Sequence, residues 1–348
     1  MRPAECLLGL KLPGGWHVKS FAPRPSTSTG GKHSVGYLVE NTDGREAYLK
    51  ALDLSLALKQ EDPARALEFL LKAYNFERDI LELCKGRRLR RVVTALADGT
   101  VEVPGDFGDL RYVPYLIFEQ AKGDIRDEVA KWQKFDLAWA LRSLHQSAVG
   151  LQELHSVDVA HQDLKPSNVL VFHEVGSKVS DLGRSSHKQI PSPFDSEASP
   201  GDPGYSTPEQ RYGWHHTRDF AHRYIADLYH LGSLIFFFFV GCSAKHATEL
   251  KISQKHAKRF THSDFLQDLP YIQHAFSEAL ADLRVSTESF AGDLTDDIVM
   301  IAQQLCEPDP RRRGHPKTLA AAYVPQHDLQ RYISHFDLLA RTAELRMI

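Results

Sequence analysis

The sequence predicts an α+β fold in which a small β-rich lobe is followed by a larger helical lobe. In the first third, apolar runs at residues 35–40 and 46–52 flank a turn of Asn, Asp and Gly, a pattern typical of a β-hairpin. Residues 64–83 repeat apolar side chains at steps of three and four, which predicts a helix. After Gly123 helical patterns dominate, so we expect an active site in the cleft between two lobes.

The remaining segments of the first lobe read as strands. Residues 16–21, 92–96 and 115–119 are short apolar runs, and a Ser/Thr/Gly-rich turn follows the first of them. We therefore predict a small sheet with a single helix in this lobe.

Two long helices are predicted in the second lobe. Residues 135–155 form an amphipathic pattern, whereas residues 222–240 are almost wholly apolar and should be buried. The most apolar run, residues 231–240, is about half as long as a bilayer span requires, so no membrane segment is predicted. Residues 185–204 between these helices are irregular and rich in Ser, Pro and Gly.

Composition excludes several classes of function. The chain has 348 residues, 42% of them hydrophobic, which is enough for a large core. Its net charge of −3 does not favour nucleic acid as a partner. Four scattered cysteines without a CxxC pair, and no recognisable signal peptide, favour a reducing, cytoplasmic location. The histidines show no zinc-ligand spacing.

The most specific string is HQDLKPSN at residues 161–168, followed by DLG at 181–183 and STPE at 206–209. These strings resemble the HRDxKxxxN catalytic loop and the DFG metal motif of eukaryotic-type (Hanks-type) serine/threonine protein kinases. The resemblance runs in the family's order from about residue 16 to about residue 323. It implies an N-terminal extension at 1–15, a kinase domain at 16–323 with lobes at 16–121 and 122–323, and a helical tail at 324–348.

The resemblance implies a role for each residue of the catalytic loop. Phosphoryl transfer requires mainly positioning and charge neutralisation, with ATP and Mg²⁺ bound. Asp163 would accept the hydrogen bond of the attacking hydroxyl, and Lys165 would hold the γ-phosphate. Asn168 and Asp181 would bind magnesium.

The resemblance also implies a nucleotide site in the first lobe. Lys50 matches the strand lysine that holds the α- and β-phosphates, and Glu77 is its best partner because it shares a helical face with Tyr74 and Leu81. The glycine-rich loop is degenerate. The remaining implied nucleotide contacts are Gly30, Gly31 and Ser34 in that loop, Phe118 as gatekeeper, the hinge from Glu119 to Ala121, and Leu170 as the floor.

Three further residues match family positions that stabilise the active site. Glu209 and Arg313 match the buried ion pair that anchors the activation segment, and Asp227 matches the aspartate that braces the catalytic loop.

The sequence also departs from the family pattern at Gln162, Asp202, Gly36 and Tyr48. Gln162 replaces an arginine that binds an activation-segment phosphate, so we expect activity without obligatory phosphorylation of that segment (a non-RD kinase). Asp202 stands where a threonine is usual and could pair with Lys165. Gly36 and Tyr48 exchange a large and a small residue over the adenine, which compensates in volume.

Two other functions stay open from the sequence. One is a pseudokinase or scaffold that binds nucleotide or a partner without turnover, and the other is a small-molecule kinase. The protein substrate is unknown, and residues 243–290 carry no recognisable motif. The tail has an apolar face that would pack within the chain, with a partner site as the alternative.

Overall fold

The computed structural model describes residues 2–23, 33–214, 219–255 and 264–346. The chain divides into two compact units. The sheet unit comprises Met1–Arg88 and Val93–Lys122, and the helical unit comprises Leu89–Val92 and Gly123–Ile348.

The sheet unit is built on a six-stranded antiparallel sheet with the strand order β1-β2-β3-β4-β6-β5. One long helix, α1 (Pro63–Gly86), follows β4 and begins at the capping side chain of Asp62. The strands are β1 (Lys11–Leu12), β2 (Trp16–Phe21), β3 (Ser34–Glu40), β4 (Glu46–Leu52), β5 (Ala95–Glu102) and β6 (Tyr112–Glu119).

Alternation along the strands separates a core face from a second face. Val35, Tyr37 and Val39 of β3 are buried, while the residues between them are partly exposed. Ala4 and Leu7 of the first fifteen residues belong to the same hydrophobic cluster. The segment predicted to be an extension therefore supplies part of the core of the sheet unit.

The strand predicted at residues 92–96 begins three residues later and extends to Glu102. Val92 forms an isolated bridge with Val179 in the helical unit, and β5 begins only at Ala95. The strand continues through Gly99, where an added Cβ would lie 2.7 Å from the hydroxyl of Tyr115. Glycine at this position reflects close packing within the sheet rather than a turn.

The helical unit contains nine α-helices and two small sheets within its described residues. The helices are α2 (Ile125–Val129), α3 (Leu137–Ser156), α4 (Pro208–Arg211), α5 (Phe220–Val240), α6 (Ala244–Lys255), α7 (Phe265–Ala291), α8 (Thr295–Leu305), α9 (Pro316–Leu319) and α10 (Gln330–Leu345). The strands are β7 (Gly123–Asp124), β8 (Val159–Ala160), β9 (Val169–Phe172), β10 (Gly176–Val179) and β11 (Ser186–His187), with β10-β9-β7 forming one sheet and β11-β8 the other.

Helix α5 is the central helix of this unit. It is long and apolar enough to cross a membrane by length and composition alone, but 89% of its most apolar window is buried. This burial matches the prediction of a core helix.

The C-terminal helix α10 packs against α3. Tyr332, Phe336 and Leu339 are buried, and the guanidinium of Arg142 on α3 lies 2.7 Å from Asp337 and 2.8 Å from Glu344. The apolar face for which the sequence left a partner open is thus covered within the chain.

The motif-free stretch from residue 243 to 290 includes α6 and α7. Ile252 of α6 and Leu269 of α7 belong to one apolar cluster, and Tyr212 and Trp214 pack against it. The hydroxyl of Tyr212 also donates a 2.8 Å hydrogen bond to Asp268. These helices therefore support the segment that follows α4.

Candidate functional site

The loop between β8 and β9 brings three of the predicted site residues together. The side-chain nitrogen of Asn168 donates to the backbone oxygen of Asp163 at 2.8 Å and to its carboxylate at 3.1 Å. The ammonium of Lys165 lies 3.1 Å from the same carboxylate oxygen. Asp163 is therefore held in one orientation by an amide and a cation.

Asp202 completes this group. Its backbone N–H donates a 2.7 Å hydrogen bond to the second carboxylate oxygen of Asp163, and its own carboxylate lies 3.2 Å from the Lys165 ammonium. Burial opposes the charge of Lys165, but the carboxylates of Asp163 and Asp202 outweigh it and raise the pKa of the ammonium above its ordinary value. Lys165 is thus a firmly protonated cation at neutral pH.

Asp227 of α5 binds the backbone of the loop between β8 and β9. Its two carboxylate oxygens accept 2.8 Å hydrogen bonds from the backbone N–H groups of His161 and Gln162. Burial alone would raise the pKa of Asp227, but the hydrogen bond from His155 and the nearby imidazole of His230 outweigh it and keep the pKa well below its ordinary range. The carboxylate stays ionised, which compensates for the left-handed backbone of Gln162 at φ 67°.

His161 connects the loop to the second motif. Burial lowers the pKa of this imidazole, so the ring is neutral. Its Nδ1 accepts from the backbone N–H of Asp163 at 3.2 Å, and its Nε2 therefore donates to the backbone oxygen of Ser180 at 3.0 Å. The backbone N–H of Ser180 in turn donates to Asn168 at 2.9 Å. The two predicted magnesium ligands, Asn168 and Asp181, are thereby held in neighbouring segments.

Lys50 and Glu77 meet in the sheet unit. The Lys50 ammonium on β4 lies 2.9 Å from both carboxylate oxygens of Glu77 on α1, and Glu77 is buried. Glu68, an earlier glutamate of the same helix, instead pairs with Lys72 on the exposed face. The helical period thus identified the right glutamate as the contact of Lys50.

The other predicted nucleotide contacts are distributed along the strands. Phe118 on β6 pairs in register with Tyr48, and the carboxylate of Glu119 accepts a 2.8 Å hydrogen bond from the backbone of Thr94. Ala121 follows β6, Ser34 is the first residue of β3, and Leu170 lies on β9 of the helical unit. Gly30 and Gly31 lie outside the described residues.

Glu209 and Arg313 form a buried ion pair. The two terminal nitrogens of Arg313 lie 2.7 Å and 2.8 Å from the two carboxylate oxygens of Glu209, in a bidentate arrangement. Burial opposes the charge of Arg313, but the Glu209 carboxylate outweighs it and raises the pKa of the guanidinium. This pair ties the segment beginning at α4 to the loop before α9.

Sequence reasoning missed the buried cation Arg223 of α5. Its guanidinium bonds to the hydroxyl of Ser186 and to the carboxylate of Asp195, and it donates to the backbone oxygen of Asp195 at 2.8 Å. The side-chain amide of Gln162 donates to the backbone oxygen of Arg223 at 3.0 Å. A charged residue in a helix predicted to be buried was the signal that could have identified it.

Comparison with protein families now gives the identity of this arrangement. Residues 29–324, most of the chain, match the protein kinase domain. This chain belongs to the protein kinase family. The match confirms the family that the catalytic-loop strings predicted, together with the sheet region and the many helices of the kinase domain.

The kinase domain resembles curated proteins that are named serine/threonine-protein kinases. It is 29% identical over 188 residues to the probable serine/threonine-protein kinase PknB of Corynebacterium glutamicum, covering 53% of this chain and 27% of the relative. It is 28% identical over 216 residues to the serine/threonine-protein kinase/endoribonuclease IRE1 of Oryza sativa subsp. japonica, covering 60% and 20%. With the serine/threonine-protein kinase PLK4 of Xenopus tropicalis it shares 31% identity over 143 residues, covering 40% and 14%. The kinase therefore spans less than a third of the length of these relatives.

Proposed function

We propose that this kinase transfers the γ-phosphate of ATP, with magnesium bound, to serine and threonine hydroxyls of protein substrates. The observation that carries the proposal is the grouping of Asp163, Lys165 and Asn168 around one fixed carboxylate. We take the sheet unit and the helical unit to be the two lobes of the kinase fold, with the lobes at 16–121 and 122–323 and the tail at 324–348.

Asp163 is the residue that receives the substrate hydroxyl. Asn168, Lys165 and the backbone of Asp202 fix its carboxylate, and an ionised carboxylate can only accept hydrogen bonds. A hydroxyl donating to it would be oriented for attack, and its proton would have an acceptor.

The donor set around Asn168 and Asp181 suits magnesium. The nitrogen of the Asn168 side chain donates to Asp163. The amide oxygen accepts a 3.2 Å hydrogen bond from the Ser167 hydroxyl and keeps a second lone pair for a cation, and Asp181 adds a carboxylate. Amide and carboxylate oxygens are ligands that magnesium prefers, usually together with phosphate oxygens. When bound, the ion would neutralise charge on the phosphates.

Two lysines supply positive charge for phosphate oxygens, one in each unit. Glu77 fixes the position of Lys50 by contact with both of its carboxylate oxygens. Lys165 stays protonated between Asp163 and Asp202. We propose that Lys50 holds the α- and β-phosphates and that Lys165 holds the γ-phosphate.

We further propose that activity does not require phosphorylation of residues 185–204. Gln162 is neutral and cannot bind a phosphate as an arginine does. The nearby cation, Arg223, already bonds to the carboxylate of Asp195, which lies within that segment. Asp195 would thus provide the negative charge that a phosphate provides in kinases with the arginine.

One contact favours a second candidate, a nucleotide-binding scaffold without turnover. The carboxylate of Asp202 forms an ion pair with the ammonium of Lys165, and the transfer reaction needs that ammonium for the γ-phosphate. Measured turnover distinguishes the two candidates.

The test is incubation of the purified protein with labelled ATP and magnesium, alone and with a cell lysate, followed by mapping of the phosphorylated sites. We expect phosphoserine and phosphothreonine in the wild-type reaction and their loss with Asp163→Asn. The control is Asp158→Asn, the same change at an exposed residue paired with Lys188. Equal labelling by wild type and Asp163→Asn would refute the proposal, and nucleotide binding without any labelling would favour the scaffold.

A cytoplasmic location is part of the proposal. None of the four cysteines forms a disulfide, and α5 is a buried core helix. The protein substrate stays unidentified, and we propose neither nucleic acid nor a membrane as a partner.

A further inference from the structure

A surface turn carries one of the contacts of the catalytic carboxylate. The backbone N–H of Asp202 donates to Asp163 at 2.7 Å, and the Asp202 carboxylate accepts a 2.8 Å hydrogen bond from the backbone N–H of Gly204. Pro203 and Gly204, at the tip of the turn, are exposed to solvent. The position of the Asp202 N–H therefore depends on the contacts that hold this tip in place.

The turn begins in close contact with the catalytic loop. A Cβ added at Gly201 would lie 2.4 Å from the backbone oxygen of Gln162 and 2.9 Å from a carboxylate oxygen of Asp163. Both distances are shorter than real contacts of a Cβ atom, so the turn reaches Asp163 only because residue 201 is glycine. This fit requires that the turn keeps one position.

Two side chains from the start of α6 bind the tip of the turn. The ammonium of Lys245 donates to the backbone oxygen of Pro203 at 2.6 Å, and the hydroxyl of Ser243 donates to the backbone oxygen of Gly204 at 2.7 Å. The Ser243 hydroxyl also accepts a 3.1 Å hydrogen bond from the backbone N–H of His246, so it caps α6. Two adjacent carbonyl groups of the turn are thus bound to one helix end.

Lys245 lies where the stability of α6 alone does not favour a cation. It belongs to the first turn of the helix, and the partial positive charge of a helix N-terminus repels an ammonium group. Its ammonium also lies 3.5 Å from the carboxylate of Glu249, which pairs with Arg211 of α4. The Pro203 oxygen and the Glu249 carboxylate compensate for the repulsion, which indicates that Lys245 serves the turn rather than the helix.

We propose that Lys245 and Ser243 are positioning residues for phosphate transfer. By binding the carbonyl groups at the tip of the turn, they keep the Asp202 N–H on the carboxylate of Asp163. The inference rests on the proposed function, in which Asp163 receives the substrate hydroxyl. It also gives a role to the start of the segment 243–290, in which the sequence showed no motif.

The test measures the phosphate-transfer rate at saturating ATP and protein substrate and, separately, the affinity for magnesium–ATP. Lys245→Met removes the donor but keeps an unbranched side chain, and Lys245→Arg keeps a cationic donor. The matched control is Lys251→Met on the same helix, because Lys251 pairs with Asp282 and its side chain is 21% exposed, against 20% for Lys245. Each variant is first checked by thermal unfolding.

Lys245→Met should lower the transfer rate roughly 5- to 50-fold, because a displacement of about 1 Å at a catalytic group can cost about 10²-fold. The affinity for magnesium–ATP should change less than about threefold, since the turn affects it only through the partly exposed pair of Asp202 with Lys165. Lys245→Arg should recover most of the transfer rate, and Lys251→Met should transfer phosphate as the wild type does.

Ser243→Asp separates the capping of α6 from the support of the turn. Aspartate is a good N-cap, so the helix keeps its cap, but an ionised carboxylate cannot donate to the Gly204 oxygen. We expect a melting temperature close to that of the wild type and a reduced transfer rate, whereas Ser243→Thr, which keeps the hydroxyl, should retain the rate. A wild-type rate for Ser243→Asp would refute the role of this hydroxyl in positioning.

A double-mutant cycle shows whether the effect of Lys245 passes through Asp163. In the Asp163→Asn background, Lys245→Met should lower the residual transfer rate less than about twofold, because the carboxylate that it positions is gone. Losses that multiply in the double variant would overturn the inference, because Lys245 would then act on another part of the site.

A wild-type transfer rate for Lys245→Met, or an equal loss for Lys251→Met, would overturn the inference while leaving the proposed function intact. An equal loss of magnesium–ATP affinity and of transfer rate would also overturn it, because the defect would then lie in nucleotide binding. Failure of the wild-type protein to transfer phosphate would refute the proposed function, and the inference with it.

Discussion

The carboxylate of Asp202 lies 3.2 Å from the Lys165 ammonium, which is also 3.1 Å from Asp163. One cation is therefore shared by two carboxylates, and a γ-phosphate must compete with Asp202 for it. In the family a threonine is usual at this position and brings no such charge.

Asp202→Asn should lower the KM for ATP. The amide keeps an oxygen for the Gly204 backbone N–H, which donates to Asp202 at 2.8 Å, but it removes the charge that holds Lys165. Loss of a partly exposed ion pair corresponds to a fall in KM for ATP of about two- to fivefold. Initial rates against ATP concentration measure this, with Asp158→Asn as the control. A higher KM would mean that Asp202 positions Lys165 rather than competes for it.

Dephosphorylated kinase should retain its activity, because Asp195 already contacts Arg223. We expect the initial rate on a generic basic substrate to change less than twofold after phosphatase treatment, with loss of phosphate verified by mass spectrometry. Asp195→Asn should lower the rate, whereas Glu197→Gln, on an exposed neighbour, should not. A tenfold fall after dephosphorylation, reversed as serines 185–199 are phosphorylated again, would contradict this prediction.

Arg313→Ala should destabilise the helical unit strongly. It leaves the buried carboxylate of Glu209 without its bidentate partner, a change that costs about 3–5 kcal/mol. The free energy of unfolding in urea measures the loss. Arg284→Ala, which removes an exposed partner of Asp296, is the matched control and should cost under about 1 kcal/mol. Similar losses of unfolding free energy in the two variants would show that the buried ion pair contributes no more to stability than the exposed one.

Acid should destabilise the kinase in part through His327. Burial lowers the pKa of this imidazole to about 4, with His155 and Lys188 adding to the shift and Asp227 opposing it. In the unfolded chain the pKa of this histidine is near 6.5, so between pH 6.5 and 4 the unfolded state binds a proton that the folded state does not. The free energy of unfolding therefore decreases as the pH is lowered through this range.

His327→Gln should remove roughly 1–3 kcal/mol of that acid-dependent loss. Urea unfolding at pH 7 and at pH 4.5 measures the difference, and His173→Gln, at an exposed histidine, is the control. Identical pH dependence in wild type and His327→Gln would rule out this contribution.

The sequence predicted those parts of the site that are encoded locally. The HQDLKPSN string fixes Asp163, Lys165 and Asn168 within one short loop, and the period of α1 directs Glu77 towards Lys50. The Gly36–Tyr48 exchange was also visible, because strand alternation and the hairpin register suffice to bring the two residues together. The roles of these residues in binding nucleotide stay predictions.

Contacts between distant segments were not predictable in the same way. Ala4 enters the core of the sheet unit through a 2.7 Å hydrogen bond from the Tyr37 hydroxyl, 33 residues away. Asp195, which contacts Arg223, lies in an irregular segment without a helical or strand pattern, so the sequence does not predict this contact. Val92 looked like part of a strand because it is apolar, but its burial comes from the bridge to Val179.

In our proposal Asp163 serves phosphate transfer, whereas Asp181 serves the magnesium–nucleotide complex. The most direct measurement compares phosphate transfer and magnesium-dependent ATP binding in Asp163→Asn and Asp181→Asn. We predict that Asp163→Asn loses roughly 10²- to 10⁴-fold in transfer rate and binds ATP nearly as wild type, whereas Asp181→Asn loses the magnesium-dependent binding. Wild-type transfer by Asp163→Asn, or unchanged magnesium-dependent binding by Asp181→Asn, would show that these residues do not have the proposed roles.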